Sequence, residues 1–170
     1  MNSKRLPGTW MVAIFTLVAT GPLLAQARQI PANTILSDQF ETESRIGQLA
    51  ATRSIVVIYS AEREAGDYLR TWYQALRAKL PTDTPLLAVA DLGAVPFFVP
   101  KNAIIKQLAA DYPDLSILLD WKGSLGTILA AGKSTATATV YAGSRQQMQV
   151  TGGYTAEKAG TLLEALKARP

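Results

Sequence analysis

Cysteine and histidine are both missing from the 170 residues of this chain. Without a thiol, disulfide exchange, peroxide reduction at sulfur and lipid attachment through cysteine are excluded, and no disulfide braces the fold. The loss of both residue types also removes the usual ligands of zinc, copper and haem, together with the commonest general base. Only carboxylate or hydroxyl chemistry remains, and no metal or cofactor is expected. Stability has to come from the core alone.

A large excess of charge of one sign is also missing. Of the 17 basic residues, Lys4 and Arg5 stand at the extreme N-terminus, ahead of an uncharged apolar stretch from Trp10 to Leu24 and the small-residue tripeptide Ala25-Gln26-Ala27. That order predicts a cleavable export signal over residues 1–27, cut after Ala27, and a periplasmic product. Gly21-Pro22 interrupts the apolar stretch, which is shorter than the ~20 residues of a spanning helix, so no stable membrane anchor is expected after cleavage. The remaining 143 residues carry 15 basic and 13 acidic side chains, a formal charge near +2, and suit one domain with a proper core. Arg63, Arg70, Arg77 and Lys79 are interleaved with acids and apolar residues, as on the solvated side of a helix. Nucleic acid is therefore not an expected partner.

Residues 28–34 are polar and proline-bearing and read as a flexible leader to a domain over 35–168. A short segment, Ile35 to Phe40, comes first. Ser54 to Tyr59 is a continuous β-branched run, the pattern of a strand buried on both faces. From Ala61 to Leu80 the period becomes helical, with Ala65, Leu69, Trp72, Leu76 and Leu80 on one stripe, Tyr68 and Tyr73 at its flank, and Pro81 as the stop. Thr84 to Asp91 predicts a second strand. A loop from Leu92 to Val99 follows, then a helix from Pro100 to about Tyr112 with Ile104, Ile105 and Leu108 inward. Leu115 to Asp120 is a third extended segment, closed by a turn at Trp121 to Ser124; Leu125 to Gly132 is ambiguous between short helix and loop. Ala136 to Tyr141 and Gln147 to Thr151 flank a turn at Ala142 to Ser144, which predicts an antiparallel hairpin. Thr155 caps a last helix with Ala159, Leu162, Leu163 and Leu166 on one face.

A strand, crossover helix and parallel strand, followed by a hairpin and a terminal helix, make an α/β three-layer sandwich, a mixed central sheet with helices on both faces. In this order, in the Asp38-Gln39-Phe40 opening and in the step from Ile55 to Ala65, the chain resembles the thioredoxin-like superfamily, including its peroxiredoxin and redoxin branches. Tyr59-Ser60-Ala61, Ala78-Lys79-Leu80-Pro81, Phe98-Val99-Pro100-Lys101, Ala109 to Pro113 and Leu119 to Gly123 are similar to the YtfJ-type family of small periplasmic proteins. The resemblance implies a thioredoxin-like fold with no established activity. Redox members carry a thiolate at the start of the first long helix, where this chain has Ser60-Ala61-Glu62-Arg63-Glu64-Ala65. Their cis-proline position falls at Thr135, after Ser134, where a trans peptide is expected because a cis bond without proline costs ~3 kcal/mol.

The candidate binding surface is the edge that would hold the redox site: Tyr59, Ser60, Ala61, Glu62, Arg63, Glu64, Phe97, Phe98, Ser134 and Thr135, facing a periplasmic protein or peptide. An alternative is a hydrolase-like enzyme using Ser60 with Glu62 or Glu64, although a serine followed by acids is also what a helix start favours, and nothing nearby activates the hydroxyl. No catalytic residue is assigned. Glu62 and Glu64 with Asp91 or Asp120 could hold a hard cation, but no Asp-x-Asp-x-Asp-Gly loop accompanies them, and surface charge is the favoured reading. Phe97, Phe98 and Trp121 form either an exposed aromatic patch or, as favoured, a plug between loop and core. Gly152-Gly153 has no phosphate-loop lysine and reads as a turn.

Overall fold

Ile55 to Ser60 form the strand on which everything else is assembled, and all six residues are buried because both sheet faces are covered. The computed structural model describes residues 28–62, 65–131 and 136–168. In chain order these fold as β1 (Leu36–Ser37), β2 (Glu43–Ser44), α1 (Ile46–Thr52), β3 (Ile55–Ser60), α2 (Ala65–Arg77), β4 (Leu86–Asp91), α3 (Lys101–Asp111), β5 (Ile117–Asp120), α4 (Ser124–Leu129), β6 (Thr137–Ala142), β7 (Arg145–Thr151) and α5 (Ala156–Lys167). β1 and β2 make a small antiparallel ribbon. The other five strands form one sheet in the order β5-β4-β3-β6-β7, with β3 parallel to β4, β4 parallel to β5, and β6 antiparallel to both β3 and β7.

Strand alternation divides the core in two. Val56, Ile58, Ala88, Ile117, Leu119 and Val140 face α2 and α5 and meet Leu69, Trp72, Leu76, Ala159 and Leu162. Ile55, Val57, Tyr59, Val89, Leu118 and Tyr141 face α1 and α4 and meet Ile46, Ala50, Leu125 and Leu129. The stripe predicted for α2 is buried along its whole length, and Trp72 also donates from its indole nitrogen to the Gly152 carbonyl at 3.2 Å. The helix ends at Arg77, ahead of Pro81. The Arg77 guanidinium ties the following turn by donating to the carbonyls of Leu80, Pro81 and Thr84. Gly143 and Ser144 both have positive φ, 57° and 63°, as a two-residue hairpin turn that follows sheet twist requires. Thr155 caps α5 by accepting from the Lys158 amide at 3.2 Å.

Four expectations change. Residues 28–34 are not a flexible leader: Ile30 is 2% exposed, its amide donates to Ser144, and the Gln146 amide donates to Arg28, because the edge of β7 offers free backbone groups to this segment. Residues 41–53, to which the sequence pattern assigns nothing, hold β2 and α1. The side chains predicted inward on α3 are only half-buried, and no residue of that helix is fully buried, since it lies over a groove rather than against a closed core. The ambiguous stretch after Gly123 is a helix, α4, because Asp120 caps its first turn: Oδ1 accepts from the Ser124 amide at 3.1 Å and Oδ2 from the Leu125 amide at 2.7 Å. Residues 1–27, the predicted signal, lie outside the described residues. Among the described residues no helix is long and apolar enough to cross a membrane.

Candidate functional site

The three parallel strands end side by side at Ser60, Asp91 and Asp120, the edge where open α/β sheets present their loops for binding. Between the start of α2, the loop after β4 and the helix α3 runs a groove of about 720 Å³. Ala61, Glu62 and Gly66 form one wall, Val95, Pro96 and Val99 of the loop another, and Ile104, Leu108 and Tyr112 the third. Tyr112 is held from two sides. Its hydroxyl donates to Asp67 at 3.1 Å, and the Arg70 guanidinium sits 4.6 Å from its ring centre while donating to the Asp111 carbonyl. Burial, then the bond to Asp67, raise the Tyr112 hydroxyl above its ordinary value, so it stays a neutral donor. Gly66 is required here because a methyl at that position would collide with the Tyr112 ring.

Of the predicted surface, Ala61 and Glu62 line this groove and are half-exposed. Tyr59 and Ser60 do not belong to any surface. Both are fully buried, because β3 is the middle strand and its last two residues are still covered by α4 on one face and α2 on the other. Ser60 Oγ accepts from the Glu62 amide at 3.4 Å, a turn within the loop rather than a helix cap, and its burial keeps a substrate away from the hydroxyl. Arg63, Glu64, Ser134 and Thr135 lie outside the described residues, and with them the question of the peptide before Thr135. Phe97 and Phe98 are 99% and 73% exposed, so they do not plug the core; they stand edge to face with centroids 5.8 Å apart. The tight turns closed by Val95 to Leu92 and Val99 to Pro96 lift this part of the loop clear of the sheet. Trp121 is half-buried, with the Lys101 ammonium 4.9 Å from its ring centre.

Of the strand-end carboxylates, Asp120 is not surface charge, whereas Asp91 is half-exposed. Asp91 and Asp120 face one another in register, but Asp120 is 1% exposed and spends both oxygens on α4. Asp91 accepts from the Gly93 amide at 2.7 Å and borders a smaller cavity of about 390 Å³ with Gly123, Gly126 and Lys122. The Tyr59 hydroxyl is packed against Gly126 and beside Asp91. Burial, then Asp91, then Asp120 hold it far above the ordinary tyrosine value, so it does not ionise. No group of three or more carboxylates with metal-holding geometry occurs among the described residues.

The sequence pattern does not mark Ile104, Asp111, Tyr112 and Gly66 as groove residues. The i, i+4, i+7 spacing of Ile104, Leu108 and Asp111 is visible in the sequence, yet the same spacing describes a helix packed on a core.

Among solved structures the chain is similar to the pneumococcal exposed lipoprotein thioredoxin Etrx1 of Streptococcus pneumoniae strain TIGR4, at 14% identity and TM-score 0.59, over 81% of this chain and 100% of that one. StoA of Bacillus subtilis matches at 16% identity and 0.57, over 81% and 98%. The N-terminal domain of PilB from Neisseria gonorrhoeae matches at 19% and 0.56, over 81% and 91%. The fold is thioredoxin-like. No protein-family model and no curated protein matches the chain. At these identities the likeness carries the thioredoxin-like architecture and not an activity. With no cysteine anywhere in the sequence, thiol chemistry is absent from this thioredoxin-like chain.

Proposed function

We propose that the protein is an exported, redox-inactive interaction module of YtfJ type, which holds a segment of a periplasmic protein or peptide in the groove beside α2. The observation that carries this reading is the groove itself, about 720 Å³ in volume at the strand ends, walled by Val95, Ile104 and Tyr112 and bordered by Glu62 and Asp111. A concave, mostly apolar cleft with a few fixed polar groups is the usual form of a binding site, and loops on a rigid sheet are its usual place. Export is supported by Lys4-Arg5, the apolar stretch and Ala25-Gln26-Ala27.

The test is site-specific photocrosslinking of the full chain in intact cells, with the photoreactive residue at Val95 in the groove or at exposed Gln147 on β7. A discrete adduct is expected from position 95, absent from position 147, and lost when Ile104→Glu places a charge in the groove wall. Equal adducts from both positions, or an adduct indifferent to Ile104→Glu, would overturn the reading. The N-terminal mass of the exported protein checks cleavage after Ala27.

A further inference from the structure

The loop after β4 has two sides. Val95, Pro96 and Val99 turn toward the groove, whereas Phe97 and Phe98 do not line it and form a convex apex open to solvent. From Leu92 to Pro100 the loop contains only apolar residues, glycine and proline, and from Leu92 to Ala110 the chain carries Lys101 and Lys106 but no carboxylate. The acids that bound this stretch, Asp91 and Asp111, border the groove, as does Glu62. We propose that this loop docks reversibly on an anionic phospholipid bilayer, with Phe97 and Phe98 seated in the headgroup region and Lys101 and Lys106 supplying the opposite charge.

Three features suit that occupant. An adjacent aromatic pair on a convex tip has no cleft of its own to fill, and aromatic side chains partition favourably to the membrane–water boundary. Part of the loop's backbone is already paired, and the Phe97 and Phe98 amides, for which no acceptor occurs among the described residues, stay in the hydrated headgroup region where water can satisfy them. Gly93 donates to Asp91 Oδ1, Val95 to the Leu92 carbonyl and Val99 to the Pro96 carbonyl, while Pro96 and Pro100 have no N–H. The uninterrupted positive sign of the segment complements an anionic leaflet. Two side chains and two lysines make a transient contact, weaker than a lipid anchor. This inference does not rest on occupancy of the groove, from which both phenylalanines point away.

Because the chain has no cysteine, Phe98→Cys creates a unique attachment point for an environment-sensitive fluorophore, and Gln147→Cys on exposed β7 provides the reference. The apolar segment at residues 10–24 can itself bring the full chain to lipid, so the local probe and not co-sedimentation is the readout. On vesicles containing phosphatidylglycerol, the probe at position 98 is expected to shift to shorter wavelength and brighten, with no change at position 147. Lys101→Glu with Lys106→Glu should weaken that response roughly tenfold or more, as should vesicles of phosphatidylcholine alone. A probe at 98 that ignores phosphatidylglycerol vesicles, or one that responds no more than the probe at 147, would falsify the proposal. A shift that grows with protein concentration in the absence of lipid would overturn it in favour of a second copy of the chain. Circular dichroism of each labelled variant confirms that the fold is unchanged.

Discussion

On the face covered by α2 and α5 the sheet presents Val56, Ile58, Ala88, Ile117 and Val140, and the buried Ser60 hydroxyl that follows them on β3 accepts from the Glu62 amide. On the face covered by α1 and α4 the paired positions of β3 and β6 bring Tyr59 opposite Thr137, Val57 opposite Thr139 and Ile55 opposite Tyr141. The oxygens of Tyr59, Thr137, Thr139 and Tyr141 are buried there without hydrogen-bond partners among the described residues. A buried hydroxyl left without a partner costs about 1–3 kcal/mol, so the second face forfeits part of what its burial contributes. The helices above the two faces match this division. α2 and α5 have 13 and 12 residues, α1 and α4 only 7 and 6. The first face anchors the fold; the second is held by close approach and by the Asp120 cap.

The strongest test of that contrast is Trp72→Ala, which removes the largest side chain of the anchoring face along with its bond to Gly152. A loss of about 3–5 kcal/mol is expected in urea unfolding. A loss no bigger than a surface change would mean that the anchor lies elsewhere. On the second face, Gly126→Ala pushes a methyl into the Tyr59 hydroxyl and ring, at an expected cost of about 1–3 kcal/mol. Adding Tyr59→Phe should recover part of it, because the oxygen is the nearest atom met; no recovery would place the strain in the helix rather than against Tyr59.

Tyr141→Phe should have the smallest effect at neutral pH, within about 1 kcal/mol, since it discards an unpartnered oxygen and no hydrogen bond. Its signature is in alkali. Burial pushes the folded Tyr141 hydroxyl up to about 12 against an ordinary value of 10.0, with Arg28 opposing, so the neutral form is favoured in the folded state. The associated stability is complete below pH 10 and is lost as pH rises toward 12. Unfolding followed across that window should show a shallower decline in Tyr141→Phe than in the parent chain. An unchanged slope would show that Tyr141 reaches water.

Much of this architecture is legible in the sequence wherever one element carries its own signal. The β-branched run at Ile55 to Tyr59, the α2 stripe ending at Leu80, the hairpin around Gly143 and the Thr155 cap are all local patterns. What escapes reading depends on distant partners. α1 is short, begins at Arg45 without a side-chain cap, and has Gly47 inside it because the backbone at Pro31 passes too close for a side chain. Asp120 looks like surface charge until α4 is placed above it. At the site the division is similar. Ala61 and Glu62 were expected at the strand end, but Tyr59 and Ser60 are two residues too deep in the middle strand to reach solvent. Phe97 and Phe98 resemble core residues in composition, and only the pair of tight turns around Pro96 shows that nothing covers them.

The segment from Arg28 to Gln39 covers part of both open margins of the sheet. At one margin Gln29 bridges to Arg145. At the other, Asp38 bridges to Leu118 while the Gln39 side chain takes the place of a neighbouring strand, accepting from the Ile117 amide at 2.8 Å and donating to the Leu115 carbonyl at 2.6 Å. Bare strand margins invite pairing between molecules, and this segment occupies backbone groups that such pairing would use. Its side-chain bonds reach Tyr112, Leu115 and Leu129, 73 to 101 positions further along. The part of the domain synthesised first therefore waits for partners made much later, and until Arg145 has emerged a nascent chain has at least one margin exposed.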